Sequence, residues 1–77
     1  MAKTYKEMIQ WIGETNARTM TALRANGAAR NGKEYARAFC ERSAHLEAIC
    51  EAYGVDFDQA LRDAAKASRA YKERLGL

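Results

Sequence analysis

The chain contains no proline, only five glycines and two cysteines, one tryptophan and one histidine in 77 residues. Nothing in the composition enforces a kinked or turn-rich fold, and two cysteines cannot build a disulfide scaffold. Large aliphatic side chains are scarce as well: five Leu, three Ile, two Phe and one Val, against sixteen Ala. That content lies below the roughly 20% under which chains tend to disorder. The net charge is only +3, however, and the apolar residues recur at helical spacing, so a folded domain with a thin core is expected. A chain this short has room for one domain, spanning residues 1–77, and a single core of that size supplies about 3 to 5 kcal/mol. Burying more surface against a partner or a second copy, as a homodimer or larger homo-oligomer, would relieve that shortage.

No run of about 20 apolar residues and no basic-then-apolar leader is present, which predicts a cytoplasmic protein with no membrane partner. Cys40 and Cys50 fall ten positions apart in one expected helix, about 15 Å along its axis. A disulfide does not span that distance, so both are expected as reduced thiols.

Three helices are marked by their ends. Thr4-Tyr5-Lys6-Glu7 forms a capping box that opens the first helix, and Asn26-Gly27 supplies a left-handed stop. Asn31-Gly32-Lys33-Glu34 repeats the start signal with Asn31 as the expected cap, and Gly54 ends the second helix. Asp56-Phe57-Asp58-Gln59 is a third box, with Val55 placed as a hydrophobic staple, and the last helix runs to Leu75 before Gly76. The expected fold is all-α, a compact antiparallel three-helix bundle with helices at about 5–25, 32–53 and 57–75.

Helical periodicity puts Tyr5, Met8, Ile9, Ile12, Thr19, Met20 and Leu23 on one face of the first helix. The corresponding stripes are Tyr35, Phe39, Leu46, Ile49, Cys50 and Tyr53 in the second and Phe57, Leu61, Ala64, Tyr71 and Leu75 in the third. A polar residue interrupts each stripe: Asn16, Arg42 and Ser68. Folding about Ala29 and Val55 brings all three level, which predicts a buried polar layer. It would serve as a register-setting layer, as a pocket for a small anion, or as a place where Arg42 runs outward past a thin core.

Gly27-Ala28-Ala29-Arg30-Asn31-Gly32-Lys33 has the spacing of a phosphate-binding loop. The Ser or Thr needed next is replaced by Glu34, and a helix rather than a strand precedes it, so nucleotide hydrolysis is not expected. Cys40, His45 and Cys50 are five residues apart, which turns them about 140° from one another around a helix. One metal ion cannot reach all three, and no metal, cofactor or catalytic residue is assigned.

Charge is patterned along the chain. Residues 15–37 carry Arg18, Arg24, Arg30, Lys33 and Arg37 against Glu34; residues 38–58 carry Arg42 against Glu41, Glu47, Glu51, Asp56 and Asp58. The last segment is basic again, and Arg62, Lys66 and Arg69 share one face of its helix. Arg30, Lys33 and Arg37, or Arg62, Lys66 and Arg69, are the candidate anion or nucleic-acid contacts. Leu46, Cys50, Gly54 and Val55 echo a helix-turn-helix. Its recognition helix would, however, present Asp56 and Asp58 to the phosphates.

Trp11, flanked by Met8 and Thr15, lies off the centre of its stripe, where a tryptophan either covers the core or anchors an interface. Ala36, Cys40 and Ala44 form a flat second face on the middle helix. The function expected from these features is that of a non-enzymatic protein-binding module. An inhibitor or adaptor docking on a larger protein or nucleoprotein complex fits, of the small kind that phages and mobile elements encode, including anti-defence (anti-CRISPR-like) inhibitors. The alternative is a nucleic-acid or nucleotide binder using the basic loop and the stripe on the third helix.

Overall fold

Each helix begins and ends on a local hydrogen-bonding device. The computed structural model describes residues 3–77, in which α1 spans Tyr5–Ala25, α2 Lys33–Tyr53 and α3 Phe57–Leu75. At Thr4 the capping box is complete: the hydroxyl accepts from Glu7 N at 3.2 Å, and Thr4 N donates to the Glu7 carboxylate at 2.9 Å. That carboxylate is held below its ordinary pKa by the hydrogen bonds from Thr4. Asp56 caps α3 by accepting from Asp58 N and Gln59 N. Gln59 does not reach back to complete the box; its amide donates to Asp63 at 2.9 Å instead. The cap of α2 departs from expectation: Gly32, not Asn31, holds the position, without a side-chain hydrogen bond, and α2 starts at Lys33. α1 closes as anticipated, with Gly27 at φ 73°, Gly27 N donating to Arg24 O at 3.1 Å and Ala28 N donating to Leu23 O at 3.0 Å. These two bonds form the paired closure that a left-handed glycine permits.

The aromatic and polar contacts fix the topology. Tyr5 meets Tyr53 at 6.1 Å between ring centroids, and Trp11 meets His45 at 5.5 Å, so α2 runs antiparallel to α1. The Tyr5 hydroxyl donates to Asp63 at 2.7 Å, while Arg18 Nε donates to the Tyr71 hydroxyl at 2.9 Å, so α3 returns parallel to α1. Gly13 sets the closeness of α1 and α3. A Cβ there would lie 2.7 Å from Ala67 Cβ and 3.0 Å from both Ala64 O and Ser68 N.

The core is confined to one end of the bundle. Ile9, Ile12, Leu46, Ile49, Ala60 and Ala64 form its buried cluster, with Tyr5, Met8, Tyr53, Val55, Phe57 and Leu61 packed around it. The opposite end buries Ala17, Ala38, Ser68 and Tyr71. Two stripe assignments are corrected there: Phe39 is 56% exposed and Leu75 52%. Phe39 sits at the edge of its stripe on α2, α2 and α3 make the sparsest contact of the three helix pairs, and Arg42 rather than an apolar residue covers the Phe39 ring. Leu75 is the last residue of α3, one turn beyond the buried Tyr71. No helix among the described residues is long and apolar enough to cross a membrane.

Candidate functional site

The seam between α1 and α2 exposes an aromatic pair, Trp11 from α1 and His45 from α2. Trp11 is 41% exposed, and the His45 ring meets it edge-on at an interplanar angle of 68°. Two aromatic side chains from different helices brace each other at the surface, so the indole is presented in a fixed orientation. The sequence holds a signal for this contact: an antiparallel pairing with Asn16 level with Arg42 sets Trp11 level with Glu47, within one turn of His45. Met8, which flanks Trp11 and belongs to the apolar stripe of α1, is half-buried and packs against the core, so it is not part of the exposed face around Trp11. Thr15 is half-buried and lies between the indole and the next feature.

That feature is a cavity of about 60 Å³ lined by Ile12, Thr15, Asn16, Thr19, Ala38, Glu41, Arg42 and His45. Asn16 and Arg42 meet there as anticipated, and both also line a smaller void with Gly13, Leu61 and Ala64. The third member of the expected layer does not join them: Ser68 is buried on the α1 side, against Gly13. On α3 the smaller void is bounded by Leu61, Ala64 and Ala65, about one turn before Ser68. Among the described residues no hydrogen bond links Asn16, Arg42 and Ser68, and Arg42 Nε is buried with no partner in the protein. The guanidinium carbon lies 4.9 Å from the Phe39 ring centroid. Arg42 therefore passes from this cavity to the surface, its stem packed and its head stacked on an exposed ring.

A second cluster ties α1 to α3. Glu14 accepts from Gln10 and pairs with Arg18 at 3.7 Å and Arg74 at 3.8 Å. Both arginines lie over the Tyr71 ring, 5.4 Å from its centroid. The Tyr71 hydroxyl holds the Arg18 guanidinium above its ordinary pKa. Tyr5, partly buried and donating to Asp63, has its phenol pushed up to about 12.

The basic candidates all lie at the surface. Arg30, Lys33 and Arg37 surround the start of α2, but Glu34 Oε2 comes within 3.5 Å of where a Gly32 Cβ would stand. The carboxylate thus already faces the positive end of the helix, the place an anion would take. Arg62, Lys66 and Arg69 are exposed on α3, and among the described residues none has a carboxylate within ion-pair distance. Arg62 donates to Gln59 at 3.1 Å. Cys40 is exposed, and Cys50 is half-buried with its thiol pushed up by burial. No group of three metal-binding side chains occurs among the described residues.

Comparison of the chain with protein-family models, with curated proteins and with solved structures finds no match.

Proposed function

We propose that this chain is a non-enzymatic protein-binding module, an inhibitor or adaptor whose contact face is the α1–α2 seam around Trp11. The observation that carries the reading is the indole itself, 41% exposed and braced by His45 at 5.5 Å. Large aromatic groups held rigid at a surface lose little entropy on docking and dominate interface energetics. Exposed Ala52, two turns on from His45, continues that face of α2 without a long flexible side chain. The narrower version is an inhibitor of the kind that phages or mobile elements direct against defence complexes.

A second reading is favoured by one observation, the exposed Arg62, Lys66 and Arg69 without carboxylate partners. In that reading α3 follows a phosphate backbone.

The test is affinity capture from a lysate of the encoding cells, comparing the tagged chain with Trp11→Ala and with Arg62→Glu/Lys66→Glu. A stoichiometric protein band that survives nuclease and rising salt, and disappears with Trp11→Ala, is the expected result. Nucleic acid that washes off with salt and is lost only in the charge-reversed variant would replace the first reading with the second.

A further inference from the structure

α1 and α3 place their charges as the helix dipole favours, with Glu7 and Asp58 in the first turns and Arg24, or Lys72 and Arg74, in the last. α2 largely inverts this order. Its last turn has no basic residue, and its outer face runs from Lys33 and Arg37 at the positive end to Glu47 and Glu51 at the negative end. Within one chain the arrangement is doubly unfavourable, because each like-charged pair is also four residues apart and adjacent on the helix surface. None of these four side chains has an ion-pair partner among the described residues.

The same face has a regular seam. Lys33, Arg37, Cys40, Ala44, Glu47 and Glu51 follow one another in alternating steps of four and three, and all six are exposed. Such a spacing keeps one stripe turned toward a neighbouring helix. Under a twofold axis level with Arg42, Lys33 faces the partner's Glu51, Arg37 faces the partner's Glu47, and Cys40 faces the partner's Ala44. Ala36 then faces the partner's Ala48. Every pair is opposite in charge or small against small, and the small pairs at the centre let the helices approach closely. A parallel pairing would instead set Lys33 and Arg37 against their own copies. Glu34 and Glu41 lie off the seam, and Glu41 is turned to the α1–α2 cavity.

We propose that α2 is a self-association surface whose occupant is a second copy of this chain, docked antiparallel about a twofold axis level with Arg42. The charge order that is unfavourable along one helix becomes complementary between two, and the antiparallel dipoles reinforce it. One helix a side is a small interface, so the dimer exchanges with monomer in the micromolar range and weakens with salt. This surface is separate from the Trp11 face, and Trp11→Ala leaves dimerisation unchanged.

Sedimentation equilibrium of the purified chain from about 1 to about 500 µM measures the association directly. The expected result is a reversible monomer–dimer equilibrium. Lys33→Glu/Arg37→Glu and Glu47→Lys/Glu51→Lys each weaken it at least tenfold, and an equimolar mixture of the two variants regains dimer mass. Both double reversals improve the match of α2 to its own dipole, so each variant keeps full helicity and its monomeric mass is not a sign of unfolding. Independently, Ala44→Cys oxidised with glutathione disulfide forms a covalent dimer in excess of the parent chain, whereas Ala52→Cys, exposed on the same helix off the seam, does not. A parent chain that stays monomeric across the range, or reversed chains that dimerise alone as well as the parent, would overturn the proposal.

Discussion

Gly13 sits in the middle of α1, where a glycine costs a helix about 1 kcal/mol relative to alanine. Helix propensity alone therefore predicts that Gly13→Ala stabilises the protein. Packing predicts the reverse. The added methyl would stand 2.7 Å from Ala67 Cβ and 3.0 Å from two backbone atoms of α3, Ala64 O and Ser68 N. Ordinary carbon contacts need about 3.5 to 4.0 Å, and the backbone of a packed helix cannot rotate away as a side chain can. α1 and α3 must therefore separate along the most extensive contact in the bundle. Overpacking of this kind costs about 1 to 3 kcal/mol. Set against the propensity gain of about 1 kcal/mol, the net loss is up to about 2 kcal/mol, which for a domain of this size lowers the melting temperature by about 4 to 8 °C per kcal/mol. Urea unfolding followed by circular dichroism reads it as a reduced midpoint with an unchanged slope. Ala67→Gly in the Gly13→Ala background removes the shortest contact, so the two changes together cost less than the sum of their separate costs. A Gly13→Ala chain that gains stability by the full propensity term would refute the close approach of α1 and α3.

Two further outcomes follow from the polar contacts. Tyr5 stays neutral in the folded chain until about pH 12, whereas an unfolded tyrosine ionises near about 10. Its contribution to stability is thus complete below about pH 10 and lost as pH rises toward 12, and Tyr5→Phe flattens that decline in a pH series of urea midpoints. Arg42→Met removes an unpartnered buried nitrogen while keeping an unbranched stem in the core. The variant is expected to match or exceed the parent by up to about 1 kcal/mol in the same assay, and a loss above about 2 kcal/mol would mean that Arg42 Nε is satisfied.

The helix boundaries were legible because each is written in a few adjacent residues: Thr4 with Glu7, Gly27, Gly54, Asp56 and Gly76. The start of α2 was misplaced by one residue because Asn31 is the better capping residue in isolation, yet the chain uses Gly32. Periodicity identified Ile9, Ile12, Leu46, Ile49 and Ala64 as core, since burial there depends only on the face of the helix. It misjudged Phe39 and Leu75, because whether a stripe residue is covered depends on what stands opposite it: Arg42 lies over the Phe39 ring, and Leu75 is the last residue of α3. Asn16 meets Arg42 because the α1–α2 pairing follows from a short symmetric connection. Ser68 does not meet them; it is buried against α1 at Gly13, a residue with no apolar or charged signature. Its one visible sign was its position inside a strong helical pattern, where glycine is costly unless a neighbour comes close.

The confinement of the large apolar side chains to the end of the bundle that holds Ile12, Leu46 and Phe57 makes the molecule mechanically uneven. Global unfolding has to break that cluster, whereas the end holding Ala17, Ala38 and the α1–α2 connection is held mainly by small side chains and by the Glu14, Arg18 and Tyr71 contacts. Amide exchange should accordingly be slowest around Ile9, Ile12 and Ile49 and pass through low-energy local opening near residues 26–38. The α1–α2 connection and the first turn of α2 therefore rearrange without dissolving the fold. Whatever meets Arg30, Lys33 or Arg37 finds backbone it can reshape, while Trp11 is carried on the rigid end.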